Sequence, residues 1–125
     1  MTRSYMNLTP HTININIRPV GHSGNDIAIP PSGKVARVSQ TPGELRDIDM
    51  DSMIEVWDAP TMGPVEGLPG PDDSPGTLYI VSAIVLAQCA GRTDVVAPGT
   101  GPADGPVRDE AGRIVAVRRL VGAPK

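Results

Sequence analysis

TLYIVSAIVLAQCAGRTDVVAP, residues 77–98, is the most apolar run in the chain, and the way it divides decides the fold. TLYIVS has the β-branched and aromatic content of a buried strand. Ser82 then stands where a helix N-cap belongs, ahead of AIVLAQCA, with Gly91 as the expected stop. An apolar run of this length does not by itself separate helix from strand, but its alanine, leucine and glutamine favour helix in the second half. DVVAP reads as a brief strand. The expectation is an α+β fold: a small, mainly antiparallel β-sheet with one or two short helices, in a single domain of residues 1–125.

Working outward, HTININIR (residues 11–18) alternates with period 2, placing Ile13, Ile15 and Ile17 on one face and Asn14, Asn16 and Arg18 on the other. DIAI and KVARVS read as two further strands, the latter with Val35 and Arg37 on one face and Ala36 and Val38 on the other. The connecting loops are too short for parallel crossovers, so these three form a small antiparallel set. GELRDIDMDSMIEVWDAP predicts two more strands, ending at the turn-rich APTMGPVEGLPGPDDSPG. GTGPADGP is a rigid loop, and VRDEAGRIVAVRRL is a hairpin whose Gly112 supplies positive φ.

The 125 residues suffice for one core. Fourteen prolines and fourteen glycines imply short elements between fixed turns. With no Phe, one Trp and two Tyr, the core is aliphatic and thin. Homo-oligomerisation is therefore expected, with TLYIVSAIVLAQCA at the interface. A net charge of −3 excludes general binding of DNA or RNA polymers. No apolar run approaches a membrane span and the start lacks a signal-peptide core, so no membrane partner is expected. The single Cys89 sits in an apolar context and reads as a buried structural thiol in a reducing cytoplasm.

The charge is uneven. Residues 44–73 hold nine carboxylates against Arg46 alone, whereas the chain from Arg92 onward holds six basic and four acidic residues. Asp47, Asp49 and Asp51 fall at positions 1, 3 and 5 of a calcium loop, but Ser52 replaces its glycine and Asp58 its bidentate glutamate. A solvated strand face explains the alternation equally well, and no metal is expected. GTGPADG lacks the Lys-Ser/Thr of a phosphate loop. His11 and His22 lie apart, with no nucleophile or metal-ligand spacing, so no catalytic residue and no cofactor are expected.

Nine arginines against two lysines leave the guanidinium groups as the candidate ligand contacts, because their planar donor fork suits phosphate. Arg37 lies within a strand, Arg92 and Asp94 follow the helix end, and Arg108 and Asp109 precede the tight turn. On the residues alone, Arg108 reads first as turn chemistry, paired with Asp109 or a neighbour. A grip on an anion is the second reading.

NLTPHTI, PPSGKVARV, EGLP, GTLYIVSAIV, GRTDVVAP and VRDEAGRIVAVRRL, in that order and over roughly half the chain, resemble the first type of phage Thoeris anti-defence protein. That family is a sponge for the cyclic nucleotide made by bacterial TIR-domain immune enzymes. The resemblance implies a non-catalytic binder of glycocyclic ADP-ribose acting in the cytoplasm of the infected bacterial host. It implies a homo-oligomer, a dimer or a hexamer, and for some members a second site for cyclic di- or trinucleotides. The family's anion-binding arginine falls on Arg108, with Asp109 beside it, and a second on Arg37. Trp57, Tyr5 and Tyr79 are the only rings on offer for an adenine, and the aromatic position of relatives near the YIVS block is aliphatic here. The competing reading is a small structural or accessory virion protein. A nucleotide-cleaving enzyme is disfavoured by the missing acid/base pair.

Overall fold

The computed structural model of the protein describes residues 3–17, 25–71 and 73–125. The apolar run divides as its composition predicts. Strand β8 (Thr77–Ile80) leads into helix α1 (Ala83–Ala87), and strand β9 (Val95–Pro98) follows. The Ser82 side chain caps α1 by accepting from the Val85 amide at 3.4 Å. The helix ends sooner than expected. From Gln88 onward amides reach three residues back, to Val85, Leu86 and Cys89, so the chain turns before Gly91, which adopts φ +85°. These turns bring β9 back beside β8 in parallel, the arrangement that requires a crossover of a dozen or more residues.

Among the described residues most strand pairs are antiparallel, as expected, but the central sheet is mixed. Its order is β1-β8-β9-β12, where β1 is Ser4–Asn7 and β12 is Leu120–Gly122. β1 and β9 both run parallel to β8, and only β12 is antiparallel to its neighbour. Antiparallel pairing governs the satellites. β2 (Ile13–Ile17) pairs with β3 (Asn25–Ile29) from Ile13↔Ile29 to Ile17↔Asn25, as the alternation of HTININIR predicts. The third member of the expected set goes elsewhere: β4 (Arg37–Thr41) pairs with β7 (Thr61–Glu66), a strand inside the stretch read as turns. Its single proline, Pro64, falls in the middle of a two-stranded ladder beside the irregularity at Val38/Gln40, where a missing N–H is tolerated. Arg18 and His22 lie outside the described residues.

β5 (Leu45–Ile48) and β6 (Glu55–Trp57) are the two strands predicted in the acidic middle, and they pair as a hairpin. They also extend the β4–β7 pair. The Asp58 amide bonds the Glu44 carbonyl at 2.8 Å between the two ladders, so residues 37–66 make one continuous two-stranded ribbon. Twelve residues per side give it a length of about 40 Å. Its tip is an Asp turn: the Asp49 carboxylate accepts from the Asp51 and Ser52 amides, which holds its pKa below the usual value, and Met53 takes φ +63°.

The core lies between the central sheet and α1. Leu8, Tyr79, Val81, Val85, Cys89 and Val95 are buried together with Ala36. The Cys89 thiol donates to the Val85 carbonyl, and burial pushes its pKa up, consistent with a structural thiol. The TLYIVSAIVLAQCA run thus fills the chain's own core; of its large apolar residues only Ile84 is exposed. The C-terminal hairpin, β10 (Val107–Arg108) with β11 (Ile114–Ala116), continues through Val117 to β2, where the Asn16 amide bonds the Val117 carbonyl and the Val117 amide bonds Asn14. Gly112 takes φ +82° at its turn, as predicted.

Candidate functional site

In sheets with parallel strands, ligand clefts open at the carboxyl ends of those strands. Here β1, β8 and β9 end together, and a groove of about 390 Å³ lies there, lined by Thr9, Pro10 and His11 after β1, Val81 to Ala83 after β8, and Pro98 at the end of β9 with Thr100 beyond it. Ile13 closes one side. The floor is built on Asn7, which is fully buried. Its amide donates to the carbonyls of His11 at 2.7 Å and Ile29 at 2.9 Å. Its oxygen accepts from the Thr9 amide and hydroxyl at 3.0 and 2.7 Å. All four hydrogen-bonding positions of the side chain are filled, so NLTPHT is a rigid corner.

Two further grooves continue the first. One of about 250 Å³ shares Ser82 with it and is lined by Arg37, Val38, Gln40, Ile84 and Val85. The other, about 170 Å³, shares Ile13, Pro98 and Thr100 and runs along Ile114–Val117. Arg37 stands on the rim of the first extension. The residue is exposed, and among the described residues its guanidinium makes neither a hydrogen bond nor an ion pair, although its cross-strand neighbour is Glu66. Arg108 is the strand partner of Ile114, which lines the second extension, so the two side chains project from one face of the hairpin. The strip therefore carries Arg37 at one end and Arg108 beside the other.

The remaining candidates lie elsewhere. Arg92 holds Asp94 through two hydrogen bonds of 2.8 and 2.9 Å and donates to the Pro69 carbonyl at 3.0 Å. That pair sits at the start of β9, about 13 Å along the strand from the groove. It ties a loop to the sheet. Asp109 accepts from the Ala111 and Arg113 amides and from Arg113 Nε, and Arg108 Nη1 donates to the Gly112 carbonyl at 2.8 Å. Asp109 organises the turn, and Arg108 bonds the turn's backbone instead of Asp109.

GTGPADG also satisfies itself. Asp104 accepts from the Gly101 amide at 3.0 Å and from Arg119 Nε at 2.8 Å, while the Gly105 amide bonds Pro102, leaving few amides to cradle an anion. Among the described residues no three His, Cys, Asp or Glu side chains form a metal set. Of the rings, Tyr79 is buried with its hydroxyl unpartnered, whereas Tyr5 and Trp57 are exposed and line no part of this strip.

Sequence reasoning did not find Thr9, Ser82 and Thr100 as groove residues. Their common signal is position just past the ends of parallel strands, which becomes visible only once β1 is known to pair with β8. Among the described residues no helix is long and apolar enough to cross a membrane. Compared with protein families, curated proteins and solved structures, the chain matches none.

Proposed function

We propose that the protein binds and sequesters a cyclic ADP-ribose-type signal, glycocyclic ADP-ribose of TIR-domain immunity, without turning it over. The observation that carries this reading is the strip of joined grooves at the carboxyl ends of β1, β8 and β9 with Arg37, an unpaired guanidinium, on its rim. A pyrophosphate needs cations, and among the described residues nothing occupies the donors of the Arg37 guanidinium. The apolar walls from Pro10, Ile13, Val81 and Pro98 suit a base and sugars, while Ser82 and Thr100 offer hydroxyls. The resemblance to Thoeris anti-defence proteins names the same two arginines that flank the strip. Host cytoplasm is the compartment in which such a signal is met.

The test is direct. The purified chain is incubated with glycocyclic ADP-ribose, freed of unbound nucleotide, heated, and the released molecules are identified by mass spectrometry. Intact nucleotide in equimolar amount is the expected result. Altered nucleotide identifies an enzyme, and none at all defeats the reading. A structural role in an assembly is favoured by one separate observation, the exposed apolar side chains on the β5–β6 arm, and an empty result would leave that role standing.

A further inference from the structure

Among the described residues no layer packs under the outer half of the long ribbon. Between Glu44 and Asp58 every residue is exposed except the half-buried Ile48. Strand pairing sorts these side chains onto two unlike faces. Leu45 opposes Trp57 and Ile48 opposes Glu55, and Glu55 and Trp57 lie two apart in β6, so these four share one face, apolar but for Glu55. It runs into a groove of about 330 Å³ at Trp57, Pro42 and Pro60. On the other face Asp47 opposes Val56, and Asp58 follows two residues on, so that side is acidic. Among the described residues β5 and β6 pair only with each other, which leaves an open edge on each. Two strands alone are marginal in water and need a third strand or a packed layer.

Charge selects what completes the ribbon. The arm carries Glu44, Asp47, Asp49, Asp51, Glu55 and Asp58, and its one cation, Arg46, is held by Asp58 at 2.7 Å. A second arm laid alongside would oppose like charges. The C-terminal hairpin of this chain is no complement either: Arg113 is paired with Asp109, and Arg108 donates to the Gly112 carbonyl. We infer that the β5–β6 arm is completed by a segment of a different protein, added as a third strand, in which arginine or lysine alternates with apolar side chains. Its backbone takes up the open edge. Because side chains alternate across a strand, its apolar set continues the Leu45–Ile48–Trp57 face while its cations continue the Asp47–Asp58 face. The two faces of the arm thus dictate both the composition and the period of the partner.

Trp57 is the chain's single tryptophan, so its fluorescence reports the arm directly. The full chain, without nucleotide, is titrated with a short synthetic peptide alternating arginine and valine. A saturable blue shift of Trp57 emission is expected. A peptide of the same composition in two blocks, arginines then valines, is expected to bind at least about fivefold more weakly, and so is the parent peptide against Asp47→Lys. Methylating the peptide's backbone amides along one edge is expected to abolish binding, and along the other to be tolerated. No shift with the alternating peptide overturns the inference, as does equal binding of the block peptide or of a peptide alternating glutamate and valine. Blue-shifted Trp57 emission that develops as the chain alone is concentrated assigns the arm to a second copy and overturns it too. Should Asp47→Lys unfold, the parent in rising salt decides: the dissociation constant of the alternating peptide must rise, and indifference to salt removes the charge pairing.

Discussion

Arg92 and Asp94 face each other across a two-residue span and share two parallel hydrogen bonds, 2.8 and 2.9 Å long, at the foot of β9. Both side chains are about one-fifth exposed, 22 and 19 %, so water weakens the pair only in part. The same guanidinium holds the Pro69 carbonyl, which fastens the loop after β7 to the central sheet. Arg92→Ala is expected to cost about 1.5–3 kcal/mol, the range for hydrogen bonds to charged groups. Urea denaturation reads this directly, and a loss well below 1 kcal/mol would show that the loop is held otherwise.

The pair also sets a pH dependence. The hydrogen bonds from Arg92 lower the Asp94 pKa below the ordinary aspartate value, and burial offsets this only partly. A depressed folded pKa means stability that is present above about pH 4 and lost as the pH falls through the lower folded value. Asp94→Asn is therefore expected to be less stable than the parent at neutral pH and to converge with it in acid. Denaturation curves that stay equally far apart at low pH would assign the difference to something other than this carboxylate.

Asn7→Ala is expected to be among the most damaging single changes. It removes a donor from each of the His11 and Ile29 carbonyls and strands the Thr9 amide in a buried corner, although the Thr9 hydroxyl still reaches the His11 carbonyl at 3.0 Å. Each unsatisfied group costs about 1–3 kcal/mol, so a loss of roughly 3 kcal/mol or more is expected. The groove floor goes with it. Melting within a degree or two of the parent would mean that water takes over these bonds.

Tyr79 predicts the opposite sign for a polar deletion. Its ring fills the core at 1 % exposure, but among the described residues its hydroxyl has no partner. Tyr79→Phe keeps the packing and removes an unsatisfied group, so stability is expected to hold or rise by up to about 1 kcal/mol. Tyr79→Ala is expected to lose about 3–5 kcal/mol through the cavity. A clear drop for Tyr79→Phe would reveal a hidden partner at the hydroxyl.

Arg37 and Arg108 can be separated by titration calorimetry with glycocyclic ADP-ribose. Losing a charge-assisted contact corresponds to roughly 10- to 150-fold in affinity. Arg37→Ala is expected to show that loss without a change in melting, since its guanidinium bonds none of the described residues. Arg37→Lys is expected to recover it only partly, a point charge being a poor substitute for a fork. If Arg108→Ala weakens binding while Arg37→Ala does not, the anion sits at the hairpin end of the strip.

Gly43 marks the joint of the ribbon. A Cβ there would come within 2.7 Å of the Asp58 carbonyl carbon and 2.8 Å of the Ala59 oxygen, all unyielding backbone. Gly43→Ala is expected to part the two strands at that point. Hydrogen exchange should then quicken in residues 44–58 while the β8 and β9 amides stay protected. Uniform loss of protection would mean that the arm and the core unfold together.

The legible parts of this fold are those whose signal is local. The isoleucine alternation gave β2, the Ser82 cap gave the start of α1, and Gly112 gave the hairpin turn. β1 was not legible because SYMN carries no periodic pattern; its position comes from pairing with TLYI far along the chain. β7 was hidden by proline and glycine, which mark turns in isolation but are tolerated on an edge. At the site, the arginines stood out by residue type, yet type does not say which are already engaged. Arg92 and Arg37 look alike in sequence, and only their neighbours separate a fastened guanidinium from a free one.

The register Ser4↔Thr77 has a consequence for how the chain is made. The first strand is held by the eighth, so nascent β1 has no place to pair until Ile80 has left the ribosome. The β2–β3 hairpin and the long ribbon close locally and precede it. Closing the intervening loop is the slow, non-local step. The Val81–Val85–Cys89 core waits on the same event, because β9 and α1 follow β8 in the chain. A truncation ending before residue 80 thus emerges as hairpins without a centre, and the residues from Thr77 onward decide whether β1 is ever sheltered.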